Sequence, residues 1–195
     1  MLAKVCGAAL QGIDAIRISI ETLVEPGFSI TLVGMPDKAV KESIQRVESA
    51  VNHSALEFPR RKILINMAPA EVRKEGAAYD LPLAVGILAA DRKIPADLLD
   101  RYMIMGELSL DGSLLPVSGV LPMAILARQL GMKGFIVPEQ NAREAAQQFA
   151  KDSDSKVGKM KTASQGQFSI DDTSSSTPFT KNVRVVSTIV FYLED

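Results

Sequence analysis

The chain has 195 residues, 47% of them hydrophobic and 23% charged, with a formal net charge of −1. That length suits one domain, or one domain and a tail, and the near-neutral balance argues against a large basic surface able to bind nucleic acid unaided, while leaving room for a local patch. One cysteine, Cys6, cannot close an internal disulfide, and one histidine, His53, cannot with it assemble a zinc site of several such ligands.

The elements follow from hydrophobic spacing. Ile16, Ile18 and Ile20 alternate with Arg17, Ser19 and Glu21, and Phe28, Ile30 and Leu32 alternate with Ser29, Thr31 and Val33, the period of half-buried strands. Pro26-Gly27 separates the two as a turn. After Gly34 the period changes: Val40, Ile44, Val47 and Val51 fall at helical spacing, predicting an amphipathic helix that begins near Pro36 or Asp37. Residues 63–65 read as a short apolar strand stopped by Asn66 and Pro69, and residues 81–90 as a buried helix. Residues 103–110 and 113–117 form a predicted hairpin joined by Asp111-Gly112, since that turn needs positive φ at its centre. Residues 120–130 read as a helix closed by Gly131, and 135–137 as a buried strand closed by Pro138. Strands with helices between them predict an α+β fold, in mixed α/β layers.

The first residues lack a basic stretch before an apolar run, and no apolar stretch approaches the roughly 20 residues that cross a bilayer, so the expected compartment is cytoplasmic. From about Gln147 the composition shifts: seven serines lie between Ser153 and Ser176, a stretch too polar to offset the entropy of ordering. The expected division is therefore a domain at 1–146 and a serine-rich, disordered tail at 147–195. Residues 183–192, apolar and β-prone, are expected to add an edge strand or to remain exposed.

Three blocks carry a family resemblance. VEPGFSITLVGMPDKAVKESIQRVESAV (24–51), RKEGAAYDLP (73–82) and GELSLDGSLLPV (106–117) resemble the N-terminal domain of the YifB/ComM family of magnesium-chelatase-like AAA+ ATPases, over Met1 to about Ala146. Residues 66–82 and 106–141 also resemble the proteolytic domain of the Lon family. This implies the β-α fold that Lon shares with the second domain of a small-subunit ribosomal protein. It also implies that the Lon nucleophilic serine falls at Ala78 and its activating lysine at Leu121, neither of which can do that chemistry. The role implied is a noncatalytic accessory domain beside an ATP-driven motor acting on branched DNA. Its expected partners are an ATPase domain or neighbouring subunits of a hexamer, with DNA as a further contact. ATP and Mg2+ are implied only for that ATPase domain, since this chain has no GxxxxGK[ST] run. The tail then reads either as natural divergence or as out-of-frame sequence replacing the ATPase domain in a truncated chain, and the abrupt change favours the second.

Two other functions stay in view, a Lon-type Ser-Lys hydrolase and a magnesium-chelatase subunit. A replacement dyad would need Ser118 or Ser109 with Lys74, against the plainer reading of a hairpin residue and a turn. Residues 34–38 superficially suggest an anion site at a helix start, but Pro36 lacks a donor and Asp37 repels phosphate, so a strand-to-helix turn is the better reading. The run Arg73, Lys74, Glu75, with Tyr79 and Asp80, is the candidate docking or DNA-contact loop, Arg73 and Lys74 facing phosphate. Alternatively Asp80 caps the following helix. Glu107 is placed to pair with Lys74 or Arg73.

Overall fold

In a computed structural model of the protein, the residues described are 1–144, 156–163, 169–172, 181–184 and 189–194. They fall into two units, Met1–Ile136 and Val137–Asp195; the sequence reading divides the chain after Ala146.

The first unit opens on a strand that hydrophobic alternation did not announce. Leu2–Gln11 (β1) pairs antiparallel along its whole length with Asp14–Glu25 (β2), from Leu2 opposite Leu23 to Gln11 opposite Asp14. Its later half is Cys-Gly-Ala-Ala, buried throughout, so small side chains replace the usual β-branched signal. Ile30–Val33 (β3) is shorter than predicted and leaves Phe28 outside it, 91% exposed.

Lys38–His53 (α1) is the predicted amphipathic helix, burying Val40, Val47, Ala50 and Val51. Asp37 caps it, accepting from Val40 N at 2.7 Å. Gly34, at φ 100°, makes the preceding turn, and a Cβ there would collide with the Met67 backbone.

Lys62–Ala68 (β4) is longer than its apolar core predicts because Leu64 alternates with buried Ile63 and Ile65 on opposite faces. A short 3-10 turn, Ala77–Tyr79, leads into Asp80–Ala90 (α2), buried at every residue. The predicted strand 103–110 divides in two. Tyr102–Ile104 (β5) joins the sheet, while Glu107–Leu108 (β6) turns away to pair with Leu114–Leu115 (β7). Gly106 lies at the break, where its N–H donates to Ala78 O and its C=O accepts from Leu81 N. Gly112 has the expected positive φ, 87°. Val120–Gln129 (α3) and Gly134–Ile136 (β8) complete the unit.

The six-stranded sheet has the order β3-β4-β2-β1-β5-β8. Pairs β3·β4, β1·β5 and β5·β8 are parallel, and β1·β2 and β2·β4 antiparallel. This mixed α/β layering is the fold class read from the sequence. Helix α2 covers the face bearing Ile18, Ile20, Thr22 and Val24, and packs on β1, β2 and α1. A Cβ on Gly86 would lie 2.8 Å from Thr22 Oγ1, so glycine permits the close approach of helix to sheet. Each fully buried isoleucine there contributes about 1.5–3 kcal/mol. The opposite face carries cross-strand ion pairs, Lys4 with Glu21 at 2.8 Å and Lys62 with Glu25 at 3.3 Å.

In the second unit Lys156–Ala163 (β9) pairs antiparallel with Ile189–Glu194 (β12), and Ser169–Asp172 (β10) with Lys181–Arg184 (β11). The serine-rich stretch read as disordered thus contains two strands. Its remaining residues, 153–155, 164–168 and 173–176, lie outside those described, as do 185–188 of the apolar segment 183–192.

Candidate functional site

The loop Arg73–Asp80 enters from β4 and leaves into α2, and only two of its five candidate side chains reach solvent. Arg73 and Glu75 pair with each other at 2.9 Å, 67% and 61% exposed. Lys74, the residue between them, is fully buried. Its ammonium donates to Gly34 O at 2.7 Å and to Pro69 O, and its backbone bridges Met35 and Asp37. Burial pushes the Lys74 amine below its ordinary pKa, partly opposed by the negative charge of Glu71. Lys74 is therefore a clasp between two turns, not a phosphate contact. A run of charged letters does not reveal that two carbonyls from distant turns need a donor at this point.

Tyr79 and Asp80 are also internal. The Tyr79 hydroxyl donates to Ala8 O at 3.0 Å, and burial, reinforced by Asp37 and Glu75, raises its pKa. Asp80 accepts from Arg46 Nε at 2.7 Å, Arg46 Nη2 at 3.0 Å and Leu108 N at 3.1 Å. It does not cap α2, whose first turn receives no side-chain cap. Nor does Glu107 pair with Arg73 or Lys74. The cation in this network is Arg46, held protonated chiefly by its hydrogen bond to Asp80, with Glu107 adding a weaker field. Arg46 was read only as the solvent face of α1, because the 34 residues separating it from Asp80 hide the pair from sequence spacing.

A cleft of about 280 Å³ opens beside this loop. Ala78, Met105, Glu107, Ser118 and Met123 line it, with Arg73 and Glu75 at one side. Leu121, the position assigned to the Lon lysine, is not in its wall; Met123, one half-turn along α3, is. Of the two dyad positions the cleft therefore includes Ala78 alone, and neither Ala78 nor Leu121 carries a titratable group. The replacement pair fails as well. No lysine lines the cleft, and the Lys74 amine is bonded to carbonyls.

The described residues at this turn and cleft do not fit ATP or magnesium. The strand-to-helix turn at Gly34 is filled by the Lys74 ammonium, and Asp37 spends its carboxylate on Val40 N and Gly76 N. Among the described residues no three His, Cys, Asp or Glu side chains are grouped to hold a metal, and His53 is exposed at the end of α1. Cys6 is buried, its thiol pKa pushed up by desolvation although Arg17 opposes it. Among the described residues no helix is long and apolar enough to cross a membrane.

Comparison with known proteins agrees with this geometry. The family described as subunit ChlI of Mg-chelatase matches residues 20–141. Competence protein ComM of Haemophilus influenzae is 43% identical over 148 residues, covering 74% of this chain and 28% of that protein. The uncharacterized protein YifB of Salmonella typhimurium is 44% identical over 144 residues, covering 73% and 28%. A Lon protease of Rhizobium meliloti is 27% identical over 150 residues, covering 73% and 18%. The chain spans a little over a quarter of the length of the ComM and YifB relatives. With a Lon-like cleft that lacks both dyad groups, and with the ChlI match running through sheet, loop and cleft alike, the chain belongs to the magnesium-chelatase-like YifB/ComM family and corresponds to its N-terminal region.

Proposed function

We propose that this chain is a noncatalytic accessory domain of a magnesium-chelatase-like ATPase, docking on an ATPase domain or neighbouring subunits of a motor that processes DNA. The observation that carries this reading is the cleft itself. Ala78 lines it, and Ala78 and Leu121 stand where the Lon resemblance calls for a hydroxyl and an amine, while the surrounding network is fully built. The competence assignment of the ComM relative supports a connection with DNA. A chelatase subunit is the weaker reading, because the sequence has no GxxxxGK[ST] run to hold a nucleotide.

At the candidate loop the electrostatics favour docking on protein over direct DNA contact. Arg73 pairs with Glu75 and Lys74 is internal, so the loop offers no unpaired cation to displace counterions. The test is fluorescence anisotropy with single-stranded, duplex and forked DNA across a salt series, on the wild type and on Arg73→Ala. Expected is no salt-sensitive binding by this chain alone, together with saturable binding to a separately produced ATPase region of a YifB/ComM relative. Salt-sensitive DNA binding that Arg73→Ala removes would make the loop a nucleic-acid contact instead.

A further inference from the structure

We propose that the open edge of β3 is a self-association surface: two copies of this chain pair antiparallel along β3, about a two-fold axis at Thr31, and join their six-stranded sheets into one. A two-fold contact differs from the head-to-tail contact that closes a ring of subunits. The inference therefore stands apart from docking on a motor, and either can fail without the other.

The register leaves this edge unpaired. Parallel β3 and β4 align Ile30 with Ile63 and Val33 with Asn66, and Ile63 N–H donates to Ser29 O at 2.7 Å. In that pattern Ser29, Thr31 and Val33 turn their main-chain groups toward β4, while Ile30 and Leu32 turn both N–H and C=O away from it. Strand β3 stands at the end of the sheet order, and among the described residues nothing takes those outward groups. Antiparallel pairing about Thr31 sets Ile30 of one copy opposite Leu32 of the other, where the outward groups exchange both bonds. It also sets the two Thr31 side chains opposite each other at the close, non-hydrogen-bonded position. Every outward group of the strand is then satisfied, whereas a slip of one residue would set outward groups against inward ones.

The side chains are self-complementary as well. Residues 28–35, FSITLVGM, carry no charge, so the two-fold brings no like charges together, and β3 has none of the lysine, proline or bulge that natural edges set against pairing. The opposite edge, β8, is shorter, half-buried throughout and preceded by Lys133. On β3, by contrast, Ile30 is 41% and Val33 42% exposed, and Phe28 and Met35 beyond its two ends are more exposed still. An apolar row also crosses the face of the sheet opposite α2, with Leu2 beside Leu23, Leu23 beside Leu64 and Leu64 beside Thr31. Pairing at Thr31 runs this row on into that of the second copy. The occupant that fits a neutral edge with this symmetry is another copy of the same strand.

The test is sedimentation velocity of the whole chain over a concentration series. A pair of four-residue strands buries less than the roughly 800 Å² per partner of a standard interface. The expected result is therefore a monomer–dimer equilibrium with Kd on the order of 10–100 μM. Thr31 is exposed and lies on the two-fold, and substituting its side chain leaves its main-chain bonds to β4 in place. Thr31→Lys and Thr31→Glu should each weaken dimerisation about tenfold, and an equimolar mixture of the two should dimerise at least as tightly as the wild type. Ile30→Pro removes an N–H that no bond of the sheet uses, so it should abolish dimerisation and leave the melting curve unchanged. A wild type that stays monomeric throughout the series, charged variants that associate as the wild type does, or a mixture that fails to recover the dimer would each overturn the proposal. Recovery in the mixture also shows that both variants are folded, and association through any other part of the chain would be indifferent to which charge stands at position 31.

Discussion

Replacing Tyr79 by phenylalanine removes the donor that satisfies Ala8 O in a buried setting, and stability should fall by about 1–2 kcal/mol. The pH dependence has a definite sign. The folded pKa of Tyr79 is raised above its unfolded value, so the tyrosine contribution is complete below about pH 10, the unfolded pKa, and is lost as pH rises through the folded one. Urea midpoints at pH 8 and above pH 10 should therefore draw closer between wild type and Tyr79→Phe at the higher pH. Lys74 acts in the opposite sense. Its folded pKa is depressed, so between that value and about 10.4 the unfolded chain holds a proton that the folded chain has released, and stability rises with pH across the window. Lys74→Met should cost about 1–3 kcal/mol near neutrality by stranding the carbonyls of Gly34 and Pro69. The deficit should widen toward pH 10, as chemical denaturation at stepped pH would measure.

At the scale of elements, two contacts decide how α2 sits. Thr22 Oγ1 is buried beneath Gly86 with no hydrogen-bond partner among the described residues, so Thr22→Val, which keeps the shape and removes the unpaired hydroxyl, should raise stability by about 1 kcal/mol. A lower melting temperature in Thr22→Val would show that the hydroxyl is satisfied after all. Asp80 ties α1, α2 and β6 together through Arg46 and Leu108 N. Asp80→Asn should cost about 2–3 kcal/mol, less than for a wholly buried pair because the Arg46 side chain keeps 23% of its exposure. These same elements show what was legible in the sequence. Helix α1 was, since its apolar residues recur every three or four positions and Asp37 stands at its cap. Strand β1 was not, because cysteine, glycine and alanine carry no β signal until a neighbouring strand buries them. In the site, the alanine at position 78, where the Lon resemblance implies a serine, could be read directly. Burial of Lys74, Tyr79 and Asp80 could not, because each is fixed by a partner between 5 and 71 residues away.

For the molecule as a whole, the six-stranded sheet and helices α1 to α3 lie within Met1–Ile136. Residues 1–146 produced alone should consequently unfold in a single cooperative transition, with calorimetric and van't Hoff enthalpies in agreement. A broad transition, or disagreement between the two enthalpies, would show that this unit depends on the rest of the chain.

The absence of a hydroxyl at Ala78 and of an amine at Leu121 makes a return to hydrolysis hard. A serine placed at position 78 alone would meet no base, and a lysine placed at position 121 alone would put an ammonium at a half-buried helix position with no nucleophile to activate. Each single reversion brings no rate, and the second also lowers stability, so selection has no gradient to climb back along. Drift is then free to reshape the cleft for any task that needs a shaped wall but no bond broken.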